Sequence, residues 1–211
     1  MKIILIIFYS MILGSNNLDL LNEMDNKNII WSIYDEYDDG MLVYNGLSSF
    51  SEVEFIRIEQ EVNFTAHEIF NVILDLESYN YVINNNNITS ALVSTNIDSL
   101  YGYQLISNMI PFVRNRDYIF KMYKVSSNKI EWHLIKPNDK LYDGYNSENI
   151  NRLTYGAGTW EYKENNLLVN TIYVDDEVNM PSRIVKKFRV NSVVDIFNDI
   201  INHFNKQKEK D

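Results

Sequence analysis

The sequence predicts an α+β domain in which a long, curved antiparallel sheet of about nine strands wraps around one long C-terminal helix. Three observations carry this. Most of the chain reads as short runs with period-two alternation, and several are joined by turns of three or four residues, which makes neighbours antiparallel. A single long amphipathic stretch follows Pro181. Between the third strand and the rest lies a helix-start signature, with a second short helical piece behind it. At 211 residues and 45% apolar, the chain suits one domain with a real core.

Lys2, the mostly apolar Ile3–Leu13 and the small, polar exit Gly14–Ser15 have the layout of a secretory signal, too short to span a bilayer comfortably. Residues 1–15 are therefore predicted to be a signal peptide or N-terminal anchor, residues 16–211 the domain, and the protein exported, periplasmic or secreted. A buried first element of a cytoplasmic protein is the alternative. Leu18, Leu21 and Met24 predict a short helix over residues 17–28. Trp31–Glu36 and Met41–Asn45 form a hairpin around Tyr37-Asp38-Asp39-Gly40, with Gly where φ turns positive. Val53–Val62 is the third strand. Thr65 and Glu68 make a capping box, each side chain satisfying a free N–H, and Ile69, Phe70, Ile73 and Leu74 follow on one face. A second helical piece covers residues 77–83.

Strands are then predicted at Ile88–Ser94, Leu100–Asn108, Arg116–Val125, Lys129–Lys136, Leu153–Lys163 and Leu167–Asp175, with a long polar loop over 137–151. Ser126-Ser127-Asn128 and Glu164-Asn165-Asn166 are the hairpin turns. Pro181 opens the last helix at a position where its missing N–H costs nothing. Val185, Phe188, Val193, Ile196, Phe197, Ile200 and Phe204 form its apolar stripe, and Lys206, Lys208 and Lys210 suit its C-terminal end.

The net charge of −10 opposes binding to phosphate backbones, so no nucleic-acid partner is expected. With no cysteine, disulfides, thiolate catalysis and cysteine-ligated metals are excluded. No Gly-rich phosphate loop, GxSxG or HExxH occurs, and His67, His133 and His203 lack metal-ligand spacing. No catalytic residue, cofactor or metal site is predicted.

Alternation from Arg116 puts Tyr118, Phe120 and Met122 on its face, and Asp117, Ile119, Lys121 and Tyr123 on the other. Lys121 marks its own face as the wet one. Arg116 then heads the inner face at its rim, where it meets either a ligand head group or a carboxylate of the fold. Trp132 with Leu134, and Trp160 with Tyr162, are either cavity wall or ordinary core. Tyr101, Tyr103 and Leu105 from the preceding strand, and Val185 and Phe188 from the helix, complete the predicted lining.

This order of elements resembles the START family, the StAR-related lipid-transfer domains of the helix-grip superfamily. Trp31 leading into Asp38-Asp39-Gly40 and Val43-Tyr44, then Arg116-Asp117-Tyr118, then Asp175 with Pro181 and the long helix, carry the likeness over residues 17–206. The family's glycines before that proline are replaced by Glu177, Val178 and Asn179. By spacing, the buried acid and base of sterol-carrying members fall on Tyr103 and Met122, both uncharged. The resemblance implies binding, and transfer, of a lipid or other hydrophobic molecule in a cavity under the last helix, by a monomer that is not an enzyme. That helix and the loops at 108–115 and 137–151 would open, and Arg183, Lys186, Lys187 and Arg189 would touch a membrane transiently. The other classes open at this point are a polyketide cyclase or aromatase of the same fold, and an interaction module whose cavity is filled by its own side chains.

Overall fold

The computed structural model describes residues 16–26, 29–48, 53–107, 113–136, 140–145, 149–175, 177 and 181–208. The predicted export segment, 1–15, lies outside them, as do residues 108–112, 137–139 and 146–148 of the two predicted lid loops.

Helix α1 (Asn17–Met24) starts at a complete capping box in which Asn16 and Asp19 satisfy each other's first-turn N–H groups. It ends four residues short of the predicted limit. Strands β1 (Ile29–Glu36), β2 (Leu42–Ser48) and β3 (Glu54–Glu61) form a meander. Helices α2 (Ala66–Leu74) and α3 (Tyr79–Val82) then carry the chain across to the opposite edge of the sheet. Thr65 caps α2, its hydroxyl accepting from the Glu68 N–H at 3.3 Å and the Glu68 carboxylate accepting in return from the Thr65 N–H at 2.7 Å.

From that edge the chain returns through β4 (Ile88–Asn96), β5 (Ser99–Ile106), β6 (Arg116–Ser126) and β7 (Lys129–Leu134). It finishes with β8 (Asn151–Arg152), β9 (Gly156–Lys163), β10 (Leu167–Val174) and α4 (Ser182–Lys208). The spatial order is β1-β2-β3-β10-β9-β7-β6-β5-β4, every neighbour antiparallel. The pairing of β3 with β10 joins the first and last parts of the chain. Two-residue β8 stands off this path and pairs in parallel with Arg116 and Asp117. The expected strand beginning at Leu153 thus starts only at Gly156. In the β9–β10 turn, Asn165 and Asn166 both take left-handed φ, 61° and 58°, a conformation that asparagine tolerates better than other non-glycine residues.

The inner face of the sheet and the apolar stripe of α4 enclose the main core. Phe197 is fully buried and stacks on Trp160 with ring centroids 5.6 Å apart, and Phe64 lies 4.5 Å from Phe204. Tyr79 is buried in this core, its hydroxyl donating to the Ile73 carbonyl of α2 at 2.5 Å.

The outer face departs from expectation. It is not simply wet: Asp117 and Ile119 are both 0% exposed. The segment read as a polar loop carries a helical turn at Lys140–Tyr142, which lays Tyr142 over β6, where its hydroxyl accepts from the Ile119 N–H at 2.7 Å. Arg152 reaches Asp117 through Nε at 3.1 Å and Nη2 at 2.8 Å, and its guanidinium sits 4.0 Å from the Tyr142 ring centroid. Tyr103 stacks on Tyr145 at 4.0 Å. Further along, α1 covers Ile29, Phe55 and Ala157 to make another apolar cluster. The outer surface therefore holds two small cores of its own.

Burial and the Asp117 carboxylate push the Tyr103 phenol up to about 12, from an ordinary 10.0. Burial likewise raises Tyr79 and Tyr123. A phenol whose pKa is raised by folding stabilises the fold below its unfolded pKa, and that contribution fades as pH rises through the folded value. Chemical unfolding between pH 9 and pH 12 is therefore expected to show stability falling from about pH 10 upward. Tyr103→Phe should flatten that fall; an unchanged profile in the variant would contradict the assignment.

Candidate functional site

Two spaces lie between the inner face of the sheet and α4. The first, of about 80 Å³, is walled by Phe120, Met122, Trp132 and Trp160 from the middle of the sheet, and by Val193, Ile196 and Ile200 from α4. The second, of about 70 Å³, lies toward the start of α4, between Ile88, Ile106, Arg116 and Val174 on one side and Val185, Phe188 and Arg189 on the other. Tyr118, Ile172, Val193 and Ile196 line both and form the partition between them. Each is well below the roughly 300–1,000 Å³ of ordinary small-molecule sites. A guest the size of a lipid thus requires α4 or the partition to move.

Local rules explain why these side chains meet. Alternation along β6 sends Arg116, Tyr118, Phe120 and Met122 inward, and pairing with β7 sets Met122 beside Trp132 and Phe120 beside Leu134. Trp132 in turn faces Gly158 of β9, where any Cβ would lie within 2.6–2.7 Å of the indole, so only glycine admits the tryptophan. Arg116, 3% exposed, heads β6 on the wall of the second space, while Asp117 turns to the outer face and pairs with Arg152. The two charges of this dipeptide do separate cores.

The remaining predicted residues fall elsewhere. Tyr101, Tyr103 and Leu105 point away from α4, into the outer cluster with Ile119 and Tyr142. Their assignment to the cavity side is corrected, and with it the reading of Tyr103 as an interior position. The register gives the reason: Gly102 pairs with Phe120 and Gln104 with Tyr118, so the even-numbered residues of β5 face inward. Leu134 is buried in the same core without touching either space. Tyr162 closes the floor of the sheet, its hydroxyl donating to the Phe64 carbonyl at 2.7 Å.

Sequence reasoning named Tyr118 but missed the rest of the polar lining. The first space also includes Tyr79, Gln104 and Asn170. Gln104 is tied at both ends: Nε2 donates to the Ser90 hydroxyl at 3.1 Å, and Oε1 accepts from the Tyr118 hydroxyl. Asn170 Nδ2 donates to the Thr159 carbonyl at 3.0 Å. Among the described residues no Asp, Glu, Lys or His lines either space; the charged lining is Arg116 and Arg189.

The three histidines sit on α2, the outer face of β7 and α4. Burial and nearby Lys121 hold the His133 imidazole below its usual value. Of the basic group at the start of α4, Lys186 is paired with Glu54 and lies 5.5 Å from the Tyr34 ring centroid, and Arg189 stands 5.7 Å from that of Tyr173; Arg183 and Lys187 are exposed. No helix among the described residues is long and apolar enough to cross a membrane.

No protein-family model matches the sequence, and no curated protein matches it. Solved structures do match its shape. The STAR-related lipid transfer protein of Xanthomonas axonopodis aligns with a TM-score of 0.66 at 15% identity, over 83% of this chain and 98% of that one. Human StAR-related lipid transfer protein 5 aligns at 0.64 and 14% identity, over 90% and 93%. The Mycobacterium smegmatis START superfamily protein aligns at 0.53 and 14%, over 72% and 98%. With its long antiparallel sheet, its helices after the third strand and its C-terminal helix, the chain has a START-like helix-grip fold.

Proposed function

We propose that this domain binds one apolar or amphipathic small molecule, a lipid in the first instance, between the sheet and α4. The observation that supports this most is the pair of adjoining spaces walled by Phe120, Trp132, Trp160, Ile172, Val193 and Ile196, with Tyr118, Ile172, Val193 and Ile196 lining both. The fold neighbours named as lipid transfer proteins support the same reading. Each methylene taken out of water contributes about 0.8 kcal/mol, so an acyl chain or flat ring system is held with few polar contacts. Because the empty spaces are small, binding is coupled to outward movement of α4, which is itself held mainly by apolar packing.

Carriage fits the lining better than catalysis. A general acid or base in the first space would have to be Tyr79 or Tyr118, and both hydroxyl protons are committed, to Ile73 and Gln104. We further propose that the protein is exported on its N-terminal segment, works as a monomer, and meets membranes transiently through Arg183 and Lys187.

Native mass spectrometry of the purified protein, with solvent extraction of whatever it carries, tests the central reading. The expected result is one apolar molecule per chain, exchangeable for a fluorescent lipid. Protein that emerges empty and takes up no lipid would refute it.

A further inference from the structure

The first space is apolar in bulk, and of the two carboxamides that line it Asn170 is the one whose oxygen accepts no hydrogen bond among the described residues. Gln104 spends its acceptor on Tyr118 and a donor on Ser90, so it is scaffold. Asn170 is 4% exposed, lines the space, and among the described residues makes one hydrogen bond, from Nδ2 to the Thr159 carbonyl. A carboxamide carries two N–H donors and an acceptor oxygen with two lone pairs. Asn170 therefore retains an acceptor oxygen and a second N–H on the wall of this space.

The carboxamide oxygen keeps accessible surface rather than being sealed in and still needs a partner, and a valine or isoleucine would suit a purely apolar wall, as Ile172 does on the same face of β10. A water molecule or a ligand group can meet that need. A hydroxyl is the complementary group, since it both donates and accepts. An ionised carboxylate or phosphate is not, because no cation lines this space among the described residues, and a buried anion without a partner is strongly disfavoured.

We infer that the first space is a site for the uncharged hydroxyl end of an amphipathic ligand, with Asn170 as the residue that selects it. The apolar body of the ligand then lies against Trp132 and Trp160 and extends past Ile196 toward the second space. This rests on the binding reading above and names the ligand's chemistry: a neutral alcohol or phenol on an apolar frame, rather than a fatty acid inserted head first.

Two probes of one shape separate the possibilities: 2-naphthol and 2-methylnaphthalene, which differ by a hydroxyl in place of a methyl group. Equilibrium dialysis at pH 7 gives the ratio of their affinities for the wild-type protein and for Asn170→Leu. The expected result is that the substitution shifts this ratio about tenfold against the naphthol, the scale of one buried hydrogen bond. Asn170→Val provides a second variant should leucine disturb the fold, with thermal unfolding checked for both. A ratio unchanged in a folded variant overturns the inference while leaving apolar binding intact. Uptake of neither probe by the wild type also overturns it, since a hydroxyl site in this space must accept so small a flat phenol. The carrier reading is then judged separately, by whether lipid is retained and exchanged.

Discussion

Asp117→Ala is expected to lower the stability of the fold by about 3 kcal/mol, read as a shift in urea midpoint. Asp117 is 0% exposed and accepts two hydrogen bonds from Arg152 and one from Tyr103, the last at 3.3 Å. Removing the carboxylate leaves a guanidinium without its buried counter-charge. Such truncations cost about 3–5 kcal/mol, and the lower end applies because the Arg152 side chain is 19% exposed and water can reach it. Arg152 also donates to the Tyr145 carbonyl at 2.7 Å and covers Tyr142, so the loss should spread to the outer cluster and expose the 140–145 segment to protease. The double variant with Arg152→Ala should cost clearly less than the two single changes added together. Independent, small effects would show that the pair is merely a surface contact.

Ile196→Trp is expected to abolish ligand retention while leaving a folded protein. Ile196 faces both spaces from α4, so an indole there fills the first, the second, or the passage between them. Overpacking of this kind costs about 1–3 kcal/mol, less than the stability of an ordinary domain. Circular dichroism and thermal unfolding check the fold, and extraction of bound lipid checks the site. Retention at the wild-type level in a folded variant would place the ligand elsewhere and remove the basis of the proposal.

How far the sequence could be read depended on which strands carry a mark of their facing. On β6 a lysine at 121 breaks an otherwise apolar run, and that one charge assigns both faces: Tyr118, Phe120 and Met122 face α4, as alternation requires. The neighbouring β5 carries no such mark. Its odd positions hold a serine, two tyrosines and a leucine, its even positions glycine, glutamine and aliphatics, and an apolar-in rule chooses the tyrosines. The structure chooses the even set, because Gly102 yields its space to the Phe120 ring and to Leu76, within 2.4–2.6 Å of where a Cβ would be. The deciding quantity is the β5–β6 register, fixed by a connection with no short-turn signature.

The buried outer face was hidden for a related reason. A segment with four Asn and two Asp among fifteen residues reads as solvated, and nothing local says that Tyr142 folds back onto β6. The capping box of α2 and the start of α4 depend on residues three or four apart, and there the sequence sufficed. Asn170 was invisible for the opposite reason: one amide within a β-branched strand looks like noise until its neighbours are known.

The small size of the two spaces also has a mechanical consequence. Volume that water does not fill in the folded state and that is lost on unfolding lowers the volume of the unfolded system, so hydrostatic pressure favours unfolding to an extent that scales with it. A guest that occupies the spaces removes the term. On the proposed binding mode, compression and ligand act on the same cubic ångströms with opposite sign, and the pressure needed to unfold the protein should rise when the spaces are filled.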